Sequence, residues 1–91
     1  MDAAKVIFAL DSDARRKALQ IVAKGPSNVQ EVMDALNREG LPIKYRESVY
    51  RALELLVEAE LVTKQYAKGK GICYQLCAKK ITINLEKGNI E

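Results

Sequence analysis

KYRESVYRALELL, residues 44–56, puts a lysine, two arginines, two tyrosines and a serine into the opening turns of a helix with one apolar stripe. Turning about 100° per residue from Val49, the positions Tyr45, Ala52, Leu53 and Leu56 lie within about 60° of it and form the expected core stripe. Glu47, Arg51, Glu54 and Glu58 fall on the opposite side, Ser48 and Tyr50 on the flanks, and Lys44 and Arg46 at the N-terminal end. Charge therefore runs from basic at the helix start to acidic further along. What surrounds this helix decides the purpose of that gradient.

Upstream, DAAKVIFAL (residues 2–10) is rich in helix formers, and Asp11-Ser12-Asp13 supplies cap chemistry for a second helix over about Asp13 to Lys24. Gly25-Pro26 stops it. Ser27, with Gln30 three residues on, reads as a capping box for a third helix. Val29, Val32, Met33 and Leu36 make one helical face there, and Gly40 ends it. Leu41-Pro42-Ile43-Lys44 is a short connector, and Pro42 blocks helix continuation. The quoted helix is then expected from about Tyr45 to Glu60.

Downstream the period changes. Residues 61–67 and 71–77 are β-rich, and Lys68-Gly69-Lys70-Gly71 between them reads as a hairpin turn with glycines for positive φ. Ile81, Ile83 and Leu85 alternate again, as a third strand or an arm. Two helices joined by a short turn and followed by a basic-tipped hairpin predict a winged helix-turn-helix, mainly α with a small β-hairpin wing. The expected organisation is a single domain over residues 1–91. The helix-turn-helix occupies about 28–60, the wing about 61–77, and a C-terminal strand or arm 80–91.

The 91 residues suffice for one domain, and 48% hydrophobic residues can supply its core. No apolar run approaches the roughly 20 residues of a membrane span, and the basic region of a signal peptide is missing at the start, so a cytoplasmic location is expected. The net charge of +3 says little, but its distribution says more. No Asp or Glu occurs between Glu60 and Glu86, where Lys64, Lys68, Lys70, Lys79 and Lys80 all lie. That stretch is either a solvated basic loop or a phosphate-facing patch. Cys73 and Cys77 lie four residues apart in a strand, about 13 Å when extended, beyond the roughly 7 Å between Cα atoms that a disulfide allows. Free thiols are expected, with no metal and no cofactor.

In a helix-turn-helix the N-terminal half of the second helix enters the major groove. Lys44, Arg46, Ser48, Tyr50 and Arg51 are therefore the candidate contacts to bases and phosphates of double-stranded DNA. Lys68 and Lys70 at the hairpin tip are candidates for the backbone or minor groove. Beside this stands a plainer account, in which Glu47 and Arg51 pair at i, i+4 on a solvated face, worth only about 0.3–0.5 kcal/mol. Arg15, Arg16 and Lys17 are either phosphate contacts or solvated surface.

ALDSDARRKALQIVAKGPSNVQEVMDAL, residues 9–36, resembles the opening of the ArsR-like winged-helix regulators, with its Ala-Leu, acidic-small cap, Arg-Arg pair and Gly-Pro. ESVYRALELLVEAELV, residues 47–62, resembles their recognition helix, and its Val-Tyr-Arg-x-Leu-x-x-Leu pattern is also similar to the ferric uptake regulator family. Tyr74 and Leu76 match the Tyr-x-Leu that ends the wing. The resemblance implies a homodimeric transcription regulator on a pseudo-palindromic site. Val6, Ile7, Phe8 and Leu10 of the first helix, with Ile81, Ile83 and Leu85, are the dimer candidates; a monomer would instead bury them. The departures are specific: residues 40–60 hold no cysteine, the chain holds no histidine, and Glu60 stands where glycine is usual. Metal sensing of the family type is therefore not expected, and the helix end at residue 60 should differ.

An enzyme is not expected, since no histidine, phosphate loop or nucleophile with a base is present. The rival is a winged helix that serves as a protein-interaction module of the transcription machinery, without DNA. It predicts an apolar or acidic recognition face and an uncharged wing. A redox role for Cys73 or Cys77 across a dimer is a further possibility.

Overall fold

The computed structural model describes residues 1–91. Four helices come first: α1 (Ala3–Leu10), α2 (Asp13–Ala23), α3 (Val29–Arg38) and α4 (Arg46–Glu58). Two antiparallel hairpins follow, β1 (Val62–Ala67) with β2 (Gly71–Leu76), and the minimal β3 (Ile83–Asn84) with β4 (Asn89–Ile90).

Local chemistry sets the helix starts. The Asp2 carboxylate accepts from the Lys5 N–H, the Ser12 hydroxyl from Arg15 and the Asn28 amide oxygen from Glu31. The capping box on α3 is thus Asn28 with Glu31, one residue later than the expected Ser27 with Gln30. The reason is tertiary. Ser27 and Tyr74 exchange two backbone hydrogen bonds, with Ser27 N–H donating at 3.0 Å and Tyr74 N–H at 2.8 Å. The Ser27 hydroxyl turns back to the Gly25 carbonyl at 3.1 Å. Ser27 is held as a one-residue strand on the edge of β2, so Asn28 is left to cap the helix.

The α1 C-terminus is closed by the arginine pair. Arg15 Nε donates to the Ala9 carbonyl at 2.8 Å and Arg15 Nη2 to the Phe8 carbonyl at 2.7 Å, while the guanidinium sits 5.1 Å from the Phe8 ring centre. Arg16 donates to the Leu10 carbonyl and to Asp13. Cations on the last carbonyls satisfy groups the helix cannot satisfy itself. The pair is therefore engaged in structure, and Lys17 pairs with Glu39 at 3.2 Å.

All four helices, the base of the wing and the chain end feed one core. Val6, Val22, Val32, Leu36, Leu53, Leu56 and Tyr74 are among its fully buried members. Val6 is enclosed in the chain's own core and offers no outward surface, whereas its neighbours Ile7 and Phe8 are exposed. Leu10 and Ile81 are half-buried against the core. Ile83 and Leu85 are exposed, so the alternation over 81–85 marks no single buried face. The expected C-terminal strand or arm is a hairpin of its own, in which Ile83 pairs with Ile90 and Ile90 is buried in the core.

The ends of α3 and α4 share one construction. After α3, Gly40 has φ 79°, and Gly40 and Leu41 N–H groups donate to the Asn37 and Leu36 carbonyls at 3.3 and 3.0 Å. After α4, Glu60 and Leu61 donate to Val57 and Leu56 at 2.9 and 3.1 Å, a Schellman closure in both cases. Glu60, however, adopts φ 63° with a side chain. That backbone costs an L-residue about 1–2 kcal/mol, partly offset by the greater unfolded-state entropy of glycine. Glu60→Gly is accordingly expected to stabilise the fold by about 0.5–1 kcal/mol, read as a higher urea midpoint at constant slope.

Candidate nucleic-acid interface

α4 presents its stripe as expected at Val49, Leu53 and Leu56, which are buried. Tyr45 departs from it. It is the N-cap residue, with extended backbone (φ −112°, ψ 130°), so helical phasing does not reach it and its ring lies 62% exposed. The Lys44 ammonium sits 5.4 Å from that ring's centre.

Lys44, Arg46, Ser48, Tyr50 and Arg51 are all exposed. They differ in their partners. Arg51 donates to Glu47 at 2.9 Å, with both side chains more than 70% exposed. Such a pair is worth a few tenths of a kcal/mol and yields readily to a phosphate. Arg46 forms no salt bridge with any carboxylate. No side chain caps α4, and among its first N–H groups that of Ser48 donates to the Tyr45 carbonyl at 3.0 Å while those of Arg46 and Glu47 have no side-chain acceptor.

The wing closes as its glycines predict, with Gly69 at φ 84° and Gly71 at φ 82°. Lys68 stands exposed at the tip. Lys70 does not stand free. Its ammonium pairs with Glu31 at 3.0 Å, and its backbone carbonyl accepts from Asn28 Nδ2 at 3.2 Å. Lys70 thus ties the wing tip to the start of α3. The Asn28 backbone N–H and then Lys70 hold the Glu31 carboxyl below its ordinary value, and Glu31 in turn raises Lys70.

In the hairpin register, Lys64 lies opposite Tyr74 and Tyr66 opposite Ile72. Directly paired residues and alternate residues share a face, so these four side chains form one side of the wing. A slot of about 410 Å³ separates that side from α4, with Arg46 and Tyr50 on the helix wall and Lys64, Ile72 and Tyr74 on the wing wall. Asn28, Val29, Lys70 and Gly71 complete it. Of the expected contacts, the fold gathers Arg46, Tyr50 and Lys70 here, while Lys44, Ser48, Arg51 and Lys68 lie outside the slot. Cys73 is buried and Cys77 exposed, both as free thiols.

Sequence reasoning missed the partnership of Glu54 with Lys64 and Tyr74. Tyr74 Oη donates to Glu54 Oε2 at 2.8 Å, and Lys64 Nζ donates to Glu54 Oε1 at 2.8 Å. Burial pushes the Glu54 carboxyl up, but the bonds from Lys64 and Tyr74 together outweigh it and hold the group below its ordinary 4.5. Burial first, and then the Glu54 anion, push the Tyr74 phenol well above its ordinary 10.0. Helical phasing put Glu54 with the solvated acids Glu47 and Glu58; only the position of the wing gives it partners.

A depressed carboxylate gives stability that is fully present above its unfolded pKa and is lost as pH falls through the folded one. Between about pH 5 and pH 3, wild type should therefore lose more stability than Glu54→Gln, whose acid limb is flatter. Urea midpoints of both proteins across that range check this.

No protein-family model matches the sequence, and comparison with curated proteins found no match. Among solved structures, the chain is similar to the ferric uptake regulator (Fur) of Vibrio cholerae, in a crystal structure described as revealing rearrangement of its DNA-binding domains. The TM-score is 0.61 at 20% sequence identity, over 88% of this chain and 65% of that one. The chain thus spans less than two thirds of the length of that regulator. At this identity the likeness is one of fold, and the fold is that of a winged helix-turn-helix: four helices and an antiparallel hairpin in one compact α+β arrangement.

Proposed function

We propose that this chain is a sequence-specific regulator of transcription that binds double-stranded DNA. Helix α4 lies in the major groove and the wing lies on the backbone or in the minor groove. The observation that carries this reading is the slot, where the outward N-terminal half of α4 and a basic hairpin flank one concavity. Arg46, with no carboxylate partner, is the foremost base or phosphate contact, and Lys44, Ser48, Tyr50 and Arg51 extend the same helix start. The uncapped first turn of α4 adds backbone N–H groups suited to phosphate oxygens. Lys68 supplies charge at the wing tip. Lys70 reaches phosphate only by leaving Glu31, so its contribution is smaller. The fold likeness to Fur, a protein with DNA-binding domains by its structure's description, supports the same reading.

A pseudo-palindromic site calls for a homodimer. Ile7 and Phe8 on α1, and Ile83 and Leu85 near the C-terminus, are exposed apolar surfaces suited to it. Leu10 and Ile81 stand half-buried behind them. The chain works without a cofactor or metal in this reading. No helix is long and apolar enough to cross a membrane; a cytoplasmic location fits a regulator of this kind.

One observation favours a second reading, a docking module for another protein: Tyr66 and Ile72 form an exposed apolar pair on the slot side of the wing.

Titration of a labelled duplex separates the two. Binding should fall steeply with salt, because each phosphate neutralised releases counterion. Arg46→Ala should weaken it about tenfold and Lys68→Ala should lower the salt slope by about 1. A folded protein that ignores duplex DNA at low salt leaves the docking module as the better account. Phe8→Asp combined with Leu85→Asp should shift sedimentation from dimer to monomer while leaving the far-UV spectrum intact.

A further inference from the structure

A two-stranded hairpin is at best marginally stable alone, so its angle to the rest of the fold needs an external constraint. The tip has one, the Lys70 tie to Glu31 and Asn28. Val62 and Tyr74 pack in the core beside Leu53 and Leu56, and the hydrogen bonds between the body of the wing and α4 all converge on a single carboxylate. Glu54 lies about two turns beyond Arg46, and both of its oxygens are used. One binds Lys64 on β1 and the other binds Tyr74 on β2. Lys64 and Tyr74 are partners in the ladder, so one carboxylate grips both strands at the same rung. Two bonds to two strands oppose roll of the hairpin about its long axis more than a single bond would, and add to the Ser27 bridge and the burial of Val62 and Tyr74.

We propose that Glu54 is a positioning residue that fixes the wing's orientation against α4, so that Lys68 and the N-terminal side chains of α4 address one stretch of duplex together. The second half of this statement rests on the DNA-binding reading; the first does not. Tyr74 is only 1% exposed, so its hydroxyl finds in Glu54 the acceptor that bulk water cannot supply. Its backbone is bonded in both directions to Ser27, at the entry to α3. The rung is therefore held from two sides, by the residue before α3 and by the middle of α4. Charge makes the assignment distinctive. A carboxylate beside a groove lined by Arg46, Lys64 and Lys70 opposes phosphate binding. A residue with no positioning task would weaken binding by its presence, and its removal would tighten the complex.

The test compares Glu54→Ala, Glu54→Gln and Tyr74→Phe with wild type, at a temperature where circular dichroism shows all four folded. Hydrogen exchange of the free proteins comes first. Glu54→Ala should speed exchange of the β1 and β2 amides while α1 to α3 keep their protection. Tyr74→Phe, which keeps every charge and the ring packing, should do so to a smaller degree. Glu54→Gln keeps an acceptor for Tyr74 and should fall between Glu54→Ala and wild type. On a labelled duplex, Glu54→Ala should weaken binding about tenfold despite losing a negative charge, with a salt slope shallower by about 1 as a wing phosphate contact is lost. Equal or tighter binding with an unchanged slope overturns the role in DNA alignment. If wild type itself binds no duplex, the DNA reading fails separately, and exchange alone decides: unchanged wing protection in Glu54→Ala overturns the positioning role, and selective loss of that protection upholds it.

Discussion

Tyr74 is held at both ends, and the arrangement of the wing follows from that. Its backbone pairs with Ser27, which lies at the threshold of α3, and its hydroxyl reaches Glu54 in α4. Its ring fills the core between these two points. One residue thus joins the start of the first helix of the helix-turn-helix, through its backbone, to the second helix, through its side chain, and both to the hairpin. Removing the hydroxyl's partner would leave a buried polar group unsatisfied, at a cost of about 1–3 kcal/mol. The geometry of the slot depends on this connection, because the slot exists only while α4 and the wing keep their separation.

The distribution of charge is best understood by asking which cations are free. Formal net charge is small, yet the fold does not spend its cations evenly. Arg15 and Arg16 close α1, Lys17 meets Glu39, Lys64 meets Glu54 and Lys70 meets Glu31. Arg46 and Lys68 form no such pair, and the Arg51 pair is exposed on both sides. A count of basic residues would have weighted all of these equally. The two ties to the wing instead make struts of Lys64 and Lys70, and leave Lys44 and Arg46 at the helix start and Lys68 at the wing tip among the exposed cations without a carboxylate partner.

Much of this organisation is legible in the chain before any fold is known. The four helices, the turn at Leu41–Lys44 and the hairpin at Lys68–Gly71 follow from periodicity, caps and glycine placement, which act within a few residues. The unusual residue at position 60 is legible too, but the different helix end expected from it is not found: Glu60 takes the left-handed backbone and the Schellman closure is kept. The α4 core stripe follows the wheel from Val49 onward and fails at Tyr45, where the helix has not yet begun.

What the sequence determined by itself is the set of local elements and the chemistry available on each, because hydrogen-bond periodicity, capping and turn preference are properties of neighbouring residues. What only the tertiary structure decided is which of those groups are spent on each other. Ser27 lost its cap to a bridge with Tyr74, Val6 turned inward, and residues 81–91 folded into a hairpin that buries Ile90. Glu54 acquired partners on both strands of the wing. The Ser27–Tyr74 bridge, the Glu54–Tyr74 bond and the burial of Ile90 all bring together distant parts of the chain, and their strength depends on distance and burial, which no local pattern encodes.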